Sequence, residues 1–169
     1  MNALPSLPSL PSVKASQRSF DLRIPTRRPL LPLKAAMVFL DRSEDDIDRL
    51  VDDSHLAGFD LSAPGAKRRW LVVWRQSCVN YKADGDCGEN ATVEEIIADC
   101  LPKRETLRAT EVKALFSCNQ GHLANLIGAG CLHVAAAGLG GTAAVRGPKS
   151  SPLVTRASVA KFLTDRRIV

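Results

Sequence analysis

Along residues 110–132 the apolar positions fall into two short helical phases. Val112, Leu115 and Phe116 stand at i, i+3, i+4 spacing, and Leu123, Leu126 and Ile127 repeat it. That spacing predicts two short amphipathic helices. Ser117-Cys118-Asn119 separates them, with Asn119 placed to cap the second helix and Thr110 the first. Gly128 and Gly130 weaken the far end of the second helix. Helices this short cannot bury an apolar face alone, so they need a partner downstream. The chain supplies an apolar exit, Leu132-His133-Val134, then a Gly/Ala/Pro-rich excursion and a return through Pro152-Leu153-Val154. A third helical segment, capped by Thr155, follows.

The same pattern stands 76 residues earlier. Ala36, Phe39 and Leu40 match Val112, Leu115 and Phe116; Ser43 matches the cap Asn119; Ile47, Leu50 and Val51 match Leu123, Leu126 and Ile127; Leu56 matches Leu132. Beyond that point the offset becomes 81, pairing Val73 with Val154, Arg75 with Arg156, Ser77 with Ser158 and Tyr81 with Phe162. Apolar positions are kept while surface positions change, as expected of an internal structural repeat. The change of offset lies between the two strands, so the second hairpin is the longer one. Residues 82–106 form the link. There Thr92 and Glu95 have capping-box spacing at the head of an acidic helix, Val93–Leu101, which Pro102 ends. Ile96, Ile97 and Leu101 need burying, so this helix is expected to pack against a repeat.

The stretches EVKALFSCNQGHLANLIGAGCL and PLVTRASVAKFL, with their counterparts near residues 33–81, resemble the winged helix-turn-helix domain of MerR-type regulators and phage excisionases. The resemblance implies a mainly α fold with small β-hairpin wings, present as two tandem winged helix-turn-helix domains. In that family the second helix enters the DNA major groove and the hairpin forms the wing. The domain reading is a disordered, basic, Pro/Ser-rich tail (1–32), a first winged helix-turn-helix (33–81), the linker (82–106) and a second winged helix-turn-helix (107–169).

Charge separates the two repeats. The 169 residues carry a net charge of +5 with a pI of about 9.1. Residues 107–169 hold eight basic residues against two acidic ones, whereas 34–81 hold seven against eight. In the second repeat, Gln120, Gly121 and Asn125 lie on the face away from the leucines. Asn and Gln side chains pair bidentately with adenine in the major groove, and Gly121 permits close approach. His122, Arg146, Lys149 and Arg156 are candidates for phosphate contacts, and Asn119 sets the helix N-terminus, itself a phosphate-binding feature. The family commonly places Arg or Lys on this helix; here there is none.

The equivalent helix of the first repeat carries Glu44, Asp45, Asp46 and Asp48, followed by Asp52 and Asp53. Such acids would be repelled by phosphates, by about 1 kcal/mol per exposed pair at 4 Å, so this helix is expected to stay off DNA. Its wing, with Lys67, Arg68 and Arg69 beside Trp70, could still follow a DNA backbone. The expected partner is therefore double-stranded DNA, bound chiefly by the C-terminal repeat, in a transcription regulator or an excisionase-like recombination accessory factor. A homodimer contact or a protein partner at the acidic first repeat is the other expectation. In its extreme form the alternative is a protein–protein module: the acidic repeat docks a basic partner and the fold no longer binds DNA.

Other chemistry has little support. The Gly138–Gly141 run lacks the Lys-Ser/Thr ending of a phosphate loop, and nothing in sequence orients Cys131 and His133 as nucleophile and base. The five cysteines are scattered without a CxxC, which argues against a metal site. No enzyme activity, cofactor or metal is expected. With no apolar run of about 20 residues, the expected location is cytoplasmic, nucleoid-associated when bound to DNA, and no membrane partner is expected.

Overall fold

A computed structural model describes residues 28–84, 91–135 and 152–168. Among these, seven helices and two small antiparallel sheets give a mainly helical protein. The first repeat runs β1 (Leu30–Pro32), α1 (Leu33–Leu40), α2 (Glu44–Asp52), β2 (Gly58–Asp60), β3 (Leu71–Trp74) and α3 (Arg75–Asp84). After the linker helix α4 (Val93–Cys100) the order returns as β4 (Thr106–Arg108), α5 (Ala109–Phe116), α6 (Gln120–Gly128), β5 (Leu153–Thr155) and α7 (Arg156–Asp165).

The two offsets seen in the sequence are the offsets of the structure. α5 and α6 begin and end 76 residues after α1 and α2, and α7 begins and ends 81 after α3. Individual bonds obey the same rule. The Ser77 hydroxyl accepts from the Ala57 amide (3.2 Å) and donates to the Trp74 carbonyl (2.7 Å); Ser158 does the same with His133 (3.1 Å) and Thr155 (2.9 Å). The αL residues that end α1 and α5, Asp41 (φ 53°) and Ser117 (φ 51°), also correspond. A repeated set of apolar positions has fixed a repeated backbone, caps included.

Each repeat starts one strand earlier than the sequence pattern suggests. β1 and β4 are three-residue strands pairing with β3 and β5, so the boundary at 33 falls just after β1 and the boundary at 107 falls inside β4. This moves one expected cap. β4 leads straight into α5, so Arg108 precedes the helix and its amide donates to Glu111 Oε2 (2.7 Å), while Thr110 lies inside the helix. Thr155 does precede α7, but its hydroxyl donates to Ser158 Oγ (2.9 Å) and caps no amide. Residues 1–27, with the expected basic tail, and 136–151, with Arg146 and Lys149, lie outside the described residues.

Alternation along β3 determines how the repeats meet. Leu71 and Val73 face their own helices with Leu31, Ala36, Ile47 and Val51. Val72 and Trp74, with Leu30 and Phe59, face the other way into a core shared with Leu115, Phe116, Leu123 and Leu126 of the second repeat. All four residues of β3 are buried, which is why it reads as a continuous apolar run. Helix α4 wedges into this junction through Ile96 and Cys100, with Leu101 just past its end. Its capping box forms as expected, with Thr92 Oγ1 accepting from the Glu95 amide (3.3 Å) and Glu95 Oε2 from the Thr92 amide (2.8 Å). Trp74 Nε1 donates to Asp99 (2.9 Å) across the same junction. Burial, and then the Asp99 charge, push the Cys100 thiol up to about 12, so it stays protonated and unreactive. Finally the chain end returns to the first repeat. Ile168 N donates to the Gly58 carbonyl (3.0 Å) and Asp60 N to that of Arg166 (3.0 Å), covering the outer edge of β2.

Candidate nucleic-acid interface

Helix α6 is set by its ends. The αL turn at Ser117 stops α5, and Asn119, in extended backbone, turns its Oδ1 to the His122 amide (2.8 Å). One orphan donor of the new helix is thereby satisfied. With that phase fixed, Leu123 and Leu126 are fully buried and Gln120, Gly121, Ala124, Asn125 and Gly128 are exposed. Gln120, Gly121 and Asn125 thus share one solvent face, as the periodicity predicts. Ala124 belongs to it too; the periodicity would have included it, but its side chain carries no chemistry to single it out. A Cβ on Gly121 would meet only Asn119 Oδ1, at 3.5 Å, an ordinary contact. The fold itself therefore does not demand glycine there.

His122 belongs to the junction between repeats instead. Its Nε2 lies 2.9 Å from the Leu61 carbonyl, which can only accept, so this nitrogen carries the proton. Its ring stacks on Trp70, with centroids 4.6 Å apart and planes 19° from parallel. Trp70 Nε1 in turn donates to the Phe116 carbonyl (3.4 Å), one of the unpaired acceptors at the end of α5. The expected phosphate donor is thus engaged inside the protein. No local signal in the sequence ties position 122 to position 70.

A carboxylate holds Trp70 in place. Asp60 Oδ1 accepts from the Ser62 hydroxyl (2.6 Å), the Ser62 amide (3.0 Å) and the Trp70 amide (3.1 Å). Burial pushes the Asp60 carboxyl up, but the Ser62 hydroxyl and amide, the Trp70 amide and the Arg69 charge together hold it below its usual value. A depressed folded-state pKa stabilises the fold above the unfolded value of about 3.9 and loses that contribution as pH falls through the folded value. Asp60→Asn is therefore expected to melt below the wild type near neutrality, with the gap closing in acid; thermal melts of both proteins across pH check this.

The basic candidates divide. Lys67 and Arg68 are exposed on the first hairpin. Arg69 instead turns back onto α2, with Nη2 donating to Asp52 (3.1 Å) and Nη1 3.7 Å from Asp48. The five acids of α2 that precede it give a hint of this in sequence, since the hairpin must fold over that helix. Even so, Asp48 is raised, by burial first and then by Asp52, Glu44 and Asp45 against the opposing pull of Arg69. One arginine does not neutralise the acidic helix. Ser43 caps α2 with Asp46 in a capping box, and the Ser43 hydroxyl and amide hold the Asp46 carboxyl low. Glu44, Asp45, Asp52 and Asp53 remain exposed. Arg156 sits at the start of α7, half-buried, with Nε donating to the Pro102 carbonyl (2.9 Å). It braces the linker, although its terminal nitrogens are not committed by that bond.

The structure thus brings together a capped helix with an uncharged polar face in one repeat and an acidic helix in the other. Among the described residues, no helix is long and apolar enough to cross a membrane. Comparison with protein-family models, characterised proteins and solved structures finds no match to this chain.

Proposed function

We propose that the protein is a tandem winged helix-turn-helix protein that binds double-stranded DNA through its C-terminal repeat, as a transcription regulator or recombination accessory factor. The observation that carries the reading is the α6 face: Gln120 and Asn125 are exposed beside Gly121 and Ala124, on a helix whose opposite side is locked into the core. Such a face can lie close to base edges and offer amide pairs to adenine. The basic balance of residues 107–169 suits the phosphate backbone. The first repeat acts as a platform, its acidic α2 held off the DNA and its hairpin bracing α6 through Trp70.

The test uses the whole chain, because the core is shared between repeats. Duplex is selected from a random pool, and binding is titrated by gel shift at low and high salt. Gln120→Ala with Asn125→Ala is expected to lose about 1–3 kcal/mol of discrimination per bidentate contact while keeping most non-specific affinity. Asp45→Ala with Asp48→Ala is expected to bind as well as the wild type or better, because repulsive charge is removed. Gly121→Ala separates folding from recognition: stability is expected to hold or rise by up to about 1 kcal/mol, whereas duplex affinity falls. Absence of binding at low salt overturns the reading and favours a basic protein partner at α2.

A further inference from the structure

The junction inside the chain is heterologous: the outer sheet face of the first repeat packs on the α5 end of the second, so two different surfaces are joined. Each chain therefore also owns the other half of the pair. The second repeat has its own outer sheet face, and the first has its own helix end, equivalent to the surfaces buried inside the junction. Among the described residues, Leu153 on the sheet face and Val38 at the helix end stand well exposed.

Each surface keeps one well-exposed apolar residue, although the sheet side is otherwise more polar than its counterpart in the junction. On the sheet side Leu153 is 45% exposed, at the position of the fully buried Val72. Around it Thr106, Arg108 and Thr155 stand where Leu30, Pro32 and Trp74 stand in the first repeat. On the helix side Val38 is 49% exposed. Its equivalent, Ala114, is itself exposed, at the rim of a hollow that it lines with Leu115, Arg28 and Pro29 at the junction. Phe39 and Leu40 are half-buried, whereas their equivalents Leu115 and Phe116 are buried. The Lys82 ammonium lies over the Phe39 ring, 5.2 Å from its centroid, and shields this end in the free chain.

Charge specifies the match. Inside the junction Arg28 Nη1 donates to Ser117 Oγ (3.3 Å). The equivalents at the two open ends are Arg104 and Asp41, a neutral acceptor having become an acid. Arg108 extends the basic side, and exposed Glu44 and Asp45 extend the acidic one. Arg104 pairs with Glu111 within the chain, but exposed pairs of this kind are weak enough to exchange.

We propose that a second copy of this chain occupies these surfaces, the sheet face of one copy's second repeat docking on the α1 end of the next copy's first repeat. The association is head to tail and salt-sensitive, and it does not depend on the DNA reading. A heterologous contact lets each copy join one neighbour at each end, so assembly continues unless the geometry closes a ring.

Sedimentation velocity of the full chain tests this. The wild-type sedimentation coefficient is expected to rise with concentration at low salt and to fall back at high salt. Val38→Glu blocks only the helix end and Leu153→Glu only the sheet end, so each variant alone is expected to remain monomeric. Mixed, they retain one good sheet face and one good helix end, and are expected to form a dimer that grows no further. Both positions are exposed, and far-UV circular dichroism verifies that the variants fold. As a second pair, Arg104→Glu and Asp41→Arg are each expected to weaken association, and their combination in one chain to restore it. A wild type that stays monomeric at every concentration at low salt overturns the proposal. So does self-association of either single-face variant, or a mixture that stays monomeric.

Discussion

Leu126→Ala is expected to destabilise the protein by about 2–5 kcal/mol, the range for truncating a buried leucine. Leu126 has no solvent exposure and sits where α6 meets the shared core. Its carbonyl also accepts from the Cys131 amide (2.9 Å), so the helix end is anchored at the same residue. Whole domains are stable by only about 5–15 kcal/mol, so the loss is a large fraction of the total. The repeat supplies an internal control. Leu50 is the equivalent residue but only half-buried, so Leu50→Ala is expected to cost clearly less. Chemical denaturation of both variants measures the difference, and equal losses would show that the helical phase of one repeat is misread.

Phe116→Ala is the second large effect, expected at about 3–5 kcal/mol. The ring is fully buried and tilted against Phe162 at 5.8 Å, and the Phe116 carbonyl accepts a hydrogen bond from the Trp70 indole N–H. Because the residue belongs to a core drawn from both repeats and α4, its loss should lower the stability of the whole molecule at once. Trp70 and Trp74 both border the junction, so their fluorescence reports its opening. The fluorescence and far-UV transitions of the variant are expected to move down together. If far-UV signal from the first repeat persisted after the tryptophans were released, the repeats would be independent units.

The repeat was legible in the sequence because packing restricts the residues that carried it. Ala36 and Val112, Ile47 and Leu123, Leu56 and Leu132 are all buried, and a buried position tolerates few substitutes. Caps were legible where a short polar side chain does the capping, as at Ser43, Thr92 and Asn119. The strands Leu30–Pro32 and Thr106–Arg108 were not, since three residues are too few for an alternation to register. The run Leu71-Val72-Val73-Trp74 signals burial on both faces, yet nothing local says that the second cover is the other repeat. Of the proposed site, the exposed amides of α6 were legible from helical phase alone. The engagement of His122 by Trp70, and of Arg156 by Pro102, was not, because each pairs residues more than fifty positions apart with no shared period.

The doubly buried β3 has a consequence for synthesis. A chain made from its N-terminus presents the first repeat while the residues that will cover its outer sheet face are still unmade. Leu30, Phe59, Val72 and Trp74 then form an apolar sheet surface in water. It cannot be sealed until α4 and α5 emerge, several seconds later at roughly 5–20 residues per second. The nascent chain thus passes through a stage in which a half-finished product is adhesive, and a ribosome stalled in the linker would release a fragment prone to aggregate.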